Sequence, residues 1–282
     1  MNRSKLVAEI SCNHQGDFDT TVRMVRIAGS YCGVDVVKFQ KRNPENIIDR
    51  SAPHPNPAHA FGATYYEHRK ALEFSLEQHR LLKQECLLNR VRYACSVFDV
   101  DSADEIISLD PAYIKVGSGN NNDEALLRYL CHKWEGEIHI SCGMTTREEI
   151  DGIVKLFTEL KRNHDLTLYA CTSAYPARVE DACLGEITRL RMRYGTFIKG
   201  VAFSDHTQST GIDVAAQVLG ATHIERHLTL DRTMKGTDQA ASCEPEGMKQ
   251  IRKYLEDVAS AIREKNPEIL PCEKETRAKH KP

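Results

Sequence analysis

Short apolar runs alternate with helix-like segments along almost the whole of this 282-residue chain. Eight runs have the length and composition of buried strands, and each is followed by a segment whose apolar residues recur at helical spacing. Continuous apolar runs are typical of parallel strands, and each parallel pair needs a crossover that is usually a helix. Eight strands and eight helices over about 260 residues therefore predict a closed (β/α)₈ TIM barrel.

We expect the strands at residues 6–12, 34–39, 93–97, 112–116, 138–141, 166–171, 198–203 and 222–224. We expect the helices at residues 20–31, 76–89, 102–109, 124–133, 146–162, 184–194, 211–220 and 245–265. A doubly wound open sheet is the alternative α/β fold. It is disfavoured because the chain has no early Gly-rich phosphate-binding fingerprint, and because polar residues follow most strands rather than one switch point.

Two segments depart from a minimal barrel. Residues 42–69 form a long loop after the second predicted strand, with several Pro, Asn and His residues. At that length we expect a lid or rim rather than a simple connection. Residues 267–282 are polar and basic. We therefore expect one barrel domain over residues 1–266, followed by a tail that is frayed or packed on a neighbour.

Composition excludes several classes of partner. A net charge of −2 gives no reason to expect binding to nucleic acid or to an anionic membrane. No apolar run approaches the roughly 20 residues of a transmembrane helix. The ten cysteines are scattered singly and form no CxxC pair, so buried, reduced thiols are expected rather than disulfides or a structural zinc site. Reduced thiols are typical of the cytoplasm, which is where we expect this protein.

Two histidines follow the last two predicted strands. His206 lies in Ser-Asp-His-Thr and His227 in Glu-Arg-His-Leu, with a helix-like segment between the two strands. Because neighbouring parallel strands end at the same edge, the two imidazoles are expected to lie close together. Either histidine alone is better explained as a core or surface residue. Together, each with a carboxylate nearby, they predict a divalent-metal site.

Two lysines lie inside apolar strand-like runs. Lys38 is in Val-Val-Lys-Phe and Lys115 is in Tyr-Ile-Lys-Val, and burying such a charge without an anion is costly. Gln40 lies on the same face of its strand as Lys38. A Gly-Ser-Gly turn containing Ser118 follows Lys115 and adds directed donors. The pattern predicts a site for a phosphate and a carboxylate, although ion-paired lysines remain the alternative.

Two acidic residues have two interpretations each. Glu9 lies in Val-Ala-Glu-Ile, where a carboxylate is either paired with a lysine such as Lys38 or used as an acid or base. Asp238 follows the last predicted strand. It either reaches His227 or a bound aldehyde, or is a solvated turn residue.

Taken in order, these strand ends resemble the sialic acid synthase family of phosphoenolpyruvate-dependent sugar-acid synthases. The resemblance covers roughly residues 6–260. No single motif carries it, and its specificity comes from the ordered set. The matching pieces are Ala8-Glu9-Ile10, Asn13-His14-Gln15-Gly16-Asp17, Val37-Lys38-Phe39-Gln40, Phe98-Asp99, Lys115 with Ser118-Gly119, Gly143-Met144, Cys171-Thr172-Ser173 with Tyr175-Pro176, Ser204-Asp205-His206-Thr207, Gly220-Ala221 with Glu225 and His227, Thr229-Leu230-Asp231-Arg232, Gly236 with Asp238, Ala241-Ser242 and Glu244-Pro245.

The resemblance implies a barrel enzyme that condenses phosphoenolpyruvate with an aldose such as N-acetylmannosamine, releasing phosphate and forming a 2-keto-3-deoxy sugar acid. It implies that His206 and His227 hold a divalent metal, Mn²⁺ first, with Mg²⁺ or Co²⁺ as alternatives. It also implies a homodimer, and catalytic roles for both histidines, for Lys115 and for Glu9, which would handle protons. The residues implied to bind phosphoenolpyruvate are Lys38, Ser96, Lys115, Ser118, Ser141 and Ser204, and those near the acceptor or metal are Gln40, Tyr175 and Asp238.

The chain departs from the family pattern where an acceptor would bind. The family commonly carries an antifreeze-like domain after the barrel, and we expect none within these 282 residues. Asn120 replaces an acidic residue, and Gln239-Ala240 replaces a His-basic pair. Lys41-Arg42 and a loop with three histidines suggest an acceptor with an anionic group, although a solvated rim explains them equally well. The loop histidines are His54, His59 and His68.

Two other functions fit parts of the sequence. One is a class I aldolase of the same shape, in which Lys38 or Lys115 forms a Schiff base with a keto acid. The other is a barrel that binds a sugar acid without turning it over. The paired histidines have no task in the first, and a binding protein has no need of the whole set of buried charges.

Overall fold

Eight parallel strands close into a barrel in which every strand pairs with its neighbours in sequence and β1 pairs with β8. A computed structural model describes residues 3–46, 50–265 and 268–281. The predicted (β/α)₈ barrel is confirmed, and the open-sheet alternative is wrong because the last strand closes onto the first. The predicted domain boundary at residues 266 and 267 lies outside the described residues.

The elements follow the predicted order. The strands are β1 Lys5–Glu9, β2 Val36–Lys41, β3 Arg92–Val97, β4 Ile114–Val116, β5 Ile138–Ser141, β6 Leu166–Cys171, β7 Gly200–Asp205 and β8 His223–His227. The α-helices are α1 Phe18–Arg26, α2 Tyr65–Leu72, α3 Leu76–Leu88, α4 Val100–Ile107, α5 Glu124–Lys133, α6 Arg147–Glu159, α7 Gly185–Tyr194, α8 Thr210–Val218, α9 Pro245–Ala261 and α10 Lys274–His280.

One helix lies where the sequence predicts a loop. The second half of the 42–69 segment leads into α2, whose start is defined by a capping box between Thr64 and Glu67. The Thr-x-x-Glu spacing is a recognised sign of a helix start, so the signal was present in the sequence. The tail also contains the short helix α10, whose residues are exposed.

Strand register brings the polar side chains of the barrel interior side by side. Glu9 pairs across the strands with Lys38 on one side and with His227 on the other. Ser204 and Glu225 are paired in the same way between β7 and β8. Alternate residues of each strand point outward, where they form the apolar core between strands and helices.

The amino-terminal end of the barrel is filled by aromatic and imidazole rings. The rings of Tyr113 and His139 stack with centroids 3.8 Å apart, and the ring of His223 lies 5.0 Å from that of His139. Tyr169 completes this layer and is fully buried. The layer forms a floor below the inward-facing lysines, so the inner space opens towards the carboxyl ends of the strands.

The described residues contain no helix with the length and apolarity to cross a membrane. Each of the ten cysteines is a free thiol, and most are buried.

Candidate active site

A cavity of about 350 Å³ opens at the carboxyl ends of the strands. Every side chain predicted for the site lines it. These residues are Glu9, Lys38, Gln40, Ser96, Lys115, Ser118, Ser141, Tyr175, Ser204, His206, His227 and Asp238. They come from all eight strands or the loops directly after them, as expected for a barrel of this kind.

Glu9 and Lys38 form a buried ion pair. Lys38 Nζ lies 2.5 Å from Glu9 Oε2 and donates to Ser96 Oγ at 2.7 Å. Burial lowers the pKa of Lys38, but the carboxylates of Glu225 and Glu9 outweigh it and raise that pKa above its ordinary value. Burial raises the pKa of Glu9 despite the facing ammonium. Glu9 is thus the carboxylate here that most readily accepts a proton.

Lys115 and Glu225 form a second buried pair. Lys115 Nζ lies 2.6 Å from Glu225 Oε1 and 4.3 Å from the centroid of the Tyr169 ring beneath it. Burial lowers the pKa of Lys115. Burial alone would raise the pKa of Glu225, but Lys115 and Lys38 bring it down to about 2, so this carboxylate is ionised. Both predicted lysines are therefore ion-paired and also line the cavity.

The two predicted metal ligands lie together. The rings of His206 and His227 have centroids 5.4 Å apart, and the Tyr175 ring lies 4.2 Å from that of His206. His206 Nδ1 lies 2.7 Å from the carbonyl oxygen of Thr172 and donates to it, which leaves Nε2 with a free lone pair. Burial and the neighbouring His227 lower the pKa of His206 to about 4, and burial also lowers the pKa of His227. Both rings are neutral at pH 7.

Asp238 contacts His227 at the end of β8 and Ser11 after β1. Its Oδ2 lies 3.4 Å from His227 Nδ1 and accepts a hydrogen bond of 2.5 Å from Ser11. Gln40 Nε2 donates to Ser11 Oγ and to Glu9 Oε1, each at 2.8 Å. Asp238 is therefore part of a buried network that connects an imidazole to Glu9, and it is not a solvated turn residue.

On the side of the cavity formed by the ends of β4, β5 and β6, polar side chains lie very close to Gly143. A Cβ atom at this position would lie 2.3 Å from Ser173 Oγ and 2.7 Å from Ser118 Oγ. The Gly143 amide donates to Ser118 Oγ at 3.1 Å. Glycine therefore allows several hydroxyls and the Cys171 thiol to converge at the ends of β4, β5 and β6. This wall has the directed donors that an oxyanion requires.

The residues fit a divalent cation that takes part of its coordination from outside the protein. Among the residues that the structure describes, no group of three or more His, Cys, Asp or Glu side chains is arranged to hold a metal ion. His227 Nδ1 is buried without a hydrogen-bond partner, and His206 presents a free Nε2. Two neutral imidazoles are ligands that Mn²⁺ and similar ions accept, with other positions left for oxygen ligands.

Comparison with known proteins decides the family. Residues 24–267 match the NeuB family. The chain belongs to this family. The human N-acetylneuraminate-9-phosphate synthase is 34% identical over 271 residues, which cover 95% of this chain and 74% of the human protein. The N,N'-diacetyllegionaminic acid synthase of Campylobacter jejuni is 29% identical over 266 residues, covering 93% of this chain and 78% of that protein.

A solved NeuB-type structure has the same fold. The N-acetylneuraminic acid (sialic acid) synthetase of Leptospira borgpetersenii, crystallised with citrate, superposes with a TM-score of 0.82 at 25% identity. The superposition covers 99% of this chain and 91% of that one. The resemblance seen in the sequence is therefore confirmed at the level of family and fold.

Membership of the NeuB family removes support from the two other functions considered. The named relatives are synthases, which speaks against a barrel that only binds. The paired imidazoles of His206 and His227, which line the cavity, have no task in a Schiff-base aldolase.

Some residues of the NeuB-type cavity were missed. Glu225 was seen at a strand end but given no role, although it pairs with both lysines. Ser11 lies beyond the end of β1 in a left-handed conformation (φ 50°), so the alternation of a strand does not predict where its side chain points. The other lining residues that were given no role are Arg69, Phe98, Met144, Cys171 and Ser173.

The basic residues that the sequence analysis associated with the acceptor differ in where they lie. Arg42 lines the cavity, but Lys41 is directed towards Glu105, with a separation of 3.5 Å. His54 and His68 pack against each other at 4.2 Å rather than against the cavity. His59 accepts from the Gly236 amide at 3.1 Å. None of the three loop histidines is among the residues that line the cavity.

Of the departures from the family pattern, Asn120 and Gln239 also lie away from the cavity lining. Asn120 donates to the Phe98 carbonyl at 3.2 Å, and Gln239 is buried and donates to the Asn13 carbonyl at 3.2 Å. Neither residue lines the cavity in which the acceptor is expected to bind.

Proposed function

We propose that this protein condenses phosphoenolpyruvate with an N-acylated amino aldose to give a 2-keto-3-deoxy sugar acid of the sialic acid type and inorganic phosphate. The observation that carries the proposal is the cavity itself, in which two ion-paired lysines, a carboxylate with a raised pKa and two neutral imidazoles meet. Relatives named as synthases of sialic and legionaminic acids support it.

Phosphoenolpyruvate would bind across the floor and the hydroxyl wall of the cavity. Lys38 and Lys115 supply positive charge for its carboxylate and phosphate. The hydroxyls supply hydrogen bonds of defined direction. They belong to Ser96, Ser118, Ser141 and Ser204.

The reaction balances with water as the third reactant. Carbon 3 of phosphoenolpyruvate attacks the aldehyde carbon, and the carbonyl electron pair moves to oxygen, which then takes a proton. Carbon 2 becomes cationic and is captured by water, which loses a proton. The new hydroxyl on carbon 2 then gives up its proton as the bond between carbon 2 and the phosphate oxygen breaks, and the departing phosphate takes up that proton, leaving a ketone and inorganic phosphate. Holding both substrates in one cavity supplies orientation, which lowers the barrier by several kcal/mol.

Glu9 is the residue that we assign to proton transfer and to stabilising the cationic carbon. It lies beside Lys38 and accepts from Gln40 at 2.8 Å, so its position is constrained from two sides. Because burial raises its pKa, it is better suited than Glu225 to take the proton from the attacking water.

His206 and His227 would hold a divalent cation, with Mn²⁺ first and Mg²⁺ or Co²⁺ as alternatives. The chemistry supplied by such a cation is polarisation of the aldehyde oxygen and stabilisation of the negative charge that develops there. The Thr172 carbonyl fixes the tautomer of His206, and Asp238 lies beside His227. Both contacts orient the rings towards the cavity.

We further propose a homodimer that works in the cytoplasm. The family resemblance supports the dimer, and the free thiols support a reducing compartment. Light scattering on the purified protein should give twice the chain mass of 31.9 kDa. A mass of one chain at micromolar concentration would contradict this part of the proposal.

The main test is phosphate release from phosphoenolpyruvate in the presence of a panel of aldoses. We expect release that requires both an N-acylated amino aldose and a divalent cation, and that stops in a Glu9→Gln variant. Borohydride with pyruvate should trap no adduct. Release without any aldose, or a trapped lysine adduct, would count against a synthase.

A further inference from the structure

Two arginines line the cavity beside β2: Arg42, which belongs to the predicted Lys41-Arg42 pair, and Arg69, which the sequence analysis did not name. Arg42 follows the last residue of β2, and its guanidinium stacks on the Phe98 ring at 3.9 Å. Arg42 Nη2 donates to Gln40 Oε1 at 2.5 Å, and Nη1 lies 3.5 Å from Glu73 Oε1. This guanidinium is therefore held in place, with its edge in the cavity.

The second arginine comes from α2. Arg69 Nε donates to the Tyr65 hydroxyl at 2.8 Å, and its guanidinium lies 4.9 Å from the Tyr65 ring centroid. Within the described ranges, no carboxylate oxygen comes within 4 Å of this side chain. Burial and the charge of Arg69 together lower the pKa of Arg42, so the two cations are close enough to repel each other. Glu73 pairs directly with Arg42, and the charge of Arg69 also acts on Glu73 and on Asp238.

The arginine pair lies beside β2, the strand that also carries Lys38, but Arg42 lies beyond the end of that strand and Lys38 lies within it. Arg42 is connected through Gln40 and Ser11 to Asp238, which lies beside His227. The hydroxyl wall around Gly143 belongs to β4, β5 and β6, across the barrel from β2. An acceptor whose aldehyde is at the imidazoles would therefore extend its other end towards Arg42 and Arg69.

We propose that Arg42 and Arg69 bind a phosphate group at the end of the acceptor aldose farthest from its aldehyde. This assignment rests on the proposed function, because it takes the imidazoles as the aldehyde end. A phosphate dianion offsets the repulsion between two guanidinium groups, of which Arg42 has a direct ion pair with a carboxylate and Arg69 has none among the described residues. The planar, fork-like donors of arginine match phosphate oxygens, whereas neutral hydroxyls would leave the excess charge unbalanced.

The experiment compares N-acetylmannosamine with its 6-phosphate as acceptors. We measure kcat/KM for both with the parent protein, with Arg69→Met and with Lys70→Met. Lys70 is an exposed neighbour on the same helix that is absent from the cavity lining, so its variant removes an equal charge as a matched control. We expect Arg69→Met to reduce the preference for the phosphorylated acceptor by about ten- to hundredfold, and Lys70→Met to change it less than about twofold.

A binding measurement with unreactive sugars tests the arginine site independently of the proposed condensation reaction. The open-chain alcohols made by reducing each sugar cannot react, and calorimetry gives their affinities for the protein. We expect the phosphorylated alcohol to bind at least about tenfold more tightly, with the advantage lost in Arg69→Met and reduced in Arg42→Gln. Thermal unfolding checks that both variants are folded.

Equal affinity for the two alcohols, or equal losses in Arg69→Met and Lys70→Met, would overturn the assignment. A stronger preference for a sugar carboxylate over the 6-phosphate would also overturn it. If no aldose releases phosphate while the phosphorylated alcohol still binds preferentially, the proposed reaction fails and the arginine site stands.

Discussion

At the scale of single residues, each inward-facing lysine of the barrel has its own carboxylate. Lys38 faces Glu9 and Lys115 faces Glu225, at 2.5 and 2.6 Å. All four side chains are at most 4% exposed. Charges buried this deeply are tolerated because they are paired, so the removal of one partner is costly.

Replacing Lys115 by Met should therefore affect both stability and activity. The variant leaves the Glu225 carboxylate buried opposite Lys38 alone, at 3.8 Å. We expect a loss of about 3–5 kcal/mol in the free energy of unfolding, measured with urea. We also expect phosphate release to fall at least about a hundredfold, because a contact to phosphoenolpyruvate is lost.

The double variant Lys115→Met with Glu225→Gln separates these effects. Without the buried carboxylate, much of the stability should return, while activity should stay low. Recovery of activity together with stability would show that Lys115 acts only through folding.

Several of these residues could be placed from the sequence, and others could not. Lys38 and Gln40 are two positions apart on one strand, so the period of two puts both in the cavity, as observed. Arg69 lies on a helix that follows a long irregular segment. Its approach to the cavity depends on how that segment folds back, which the local sequence does not encode.

At the scale of elements, α2 brings Arg69 to the cavity, and its start depends on one cap. Thr64 accepts from the Glu67 amide at 3.1 Å, and Glu67 accepts from the Thr64 amide at 3.2 Å. Arg69 lies in the last turn of this eight-residue helix. A helix this short has little stability of its own, so the cap contributes to where Arg69 lies.

Thr64→Ala should lower the free energy of unfolding by about 1 kcal/mol and raise KM for the acceptor. Ser75→Ala is the matched control, because it removes a similar capping box from α3, which contributes no residue to the cavity. We expect the control to lose similar stability with an unchanged KM. Equal effects on KM would show that α2 does not position the acceptor.

A buried acidic residue on α8 gives the fold a pH dependence. Asp213 is fully buried, and both of its side-chain oxygens lack a hydrogen-bond partner among the described residues. Arg226 lies 3.8 Å away but pairs more closely with Asp205. Burial raises the pKa of Asp213 to about 8, although Arg226 opposes the rise.

The sign of the effect follows from proton binding. Between about pH 4 and pH 8 the folded protein keeps a proton on Asp213 that the unfolded chain has lost. Stability therefore falls as the pH rises through this range. Asp213→Asn removes the dependence, so the variant should gain at least about 1 kcal/mol on the parent between pH 5 and pH 9.

Urea unfolding at several pH values measures this gain. Asp205→Asn is the control, and it should lose stability at every pH because Arg226 is left without its close partner. A constant difference between Asp213→Asn and the parent from pH 5 to pH 9 would contradict the raised pKa.

The order of the elements was predictable, but some boundaries were not. The sequence places the last strand at residues 222–224, whereas β8 extends to His227. Its second half, Glu-Arg-His, is polar, and hydrophobic patterning does not identify a strand there. These polar residues are buried because Glu225 pairs with Lys115 and Arg226 pairs with Asp205. Both partners lie on other strands, so the local sequence does not predict the pairing.

At the scale of the whole molecule, the apolar packing that stabilises the barrel lies apart from the proposed metal ligands. The aromatic floor and the outer apolar core hold the fold, while the charged and imidazole groups lie above them at the open end. Neither His206 nor His227 belongs to the outer apolar core or to the aromatic floor. Removal of metal by a chelator should therefore abolish phosphate release without unfolding the protein.

Thermal unfolding followed by circular dichroism checks this prediction. We expect the chelated protein to melt cooperatively, and added Mn²⁺ to raise Tm by ligand linkage. The rise should be lost in His206→Gln, while the Tm of that chelated variant stays near that of the parent. An unchanged rise in His206→Gln would place the cation elsewhere.

The most direct test of the central claim is to follow carbon 2 of phosphoenolpyruvate through the reaction. The protein is incubated with Mn²⁺, N-acetylmannosamine 6-phosphate or the free sugar, and phosphoenolpyruvate labelled with ¹³C at carbon 2, and the products are identified by ¹³C and ³¹P NMR. We predict that the label appears in the keto (anomeric) carbon of a 2-keto-3-deoxy sugar acid, in equal amount with free phosphate. Label found in pyruvate, or phosphate released without a new carbon–carbon bond, would contradict the proposed condensation.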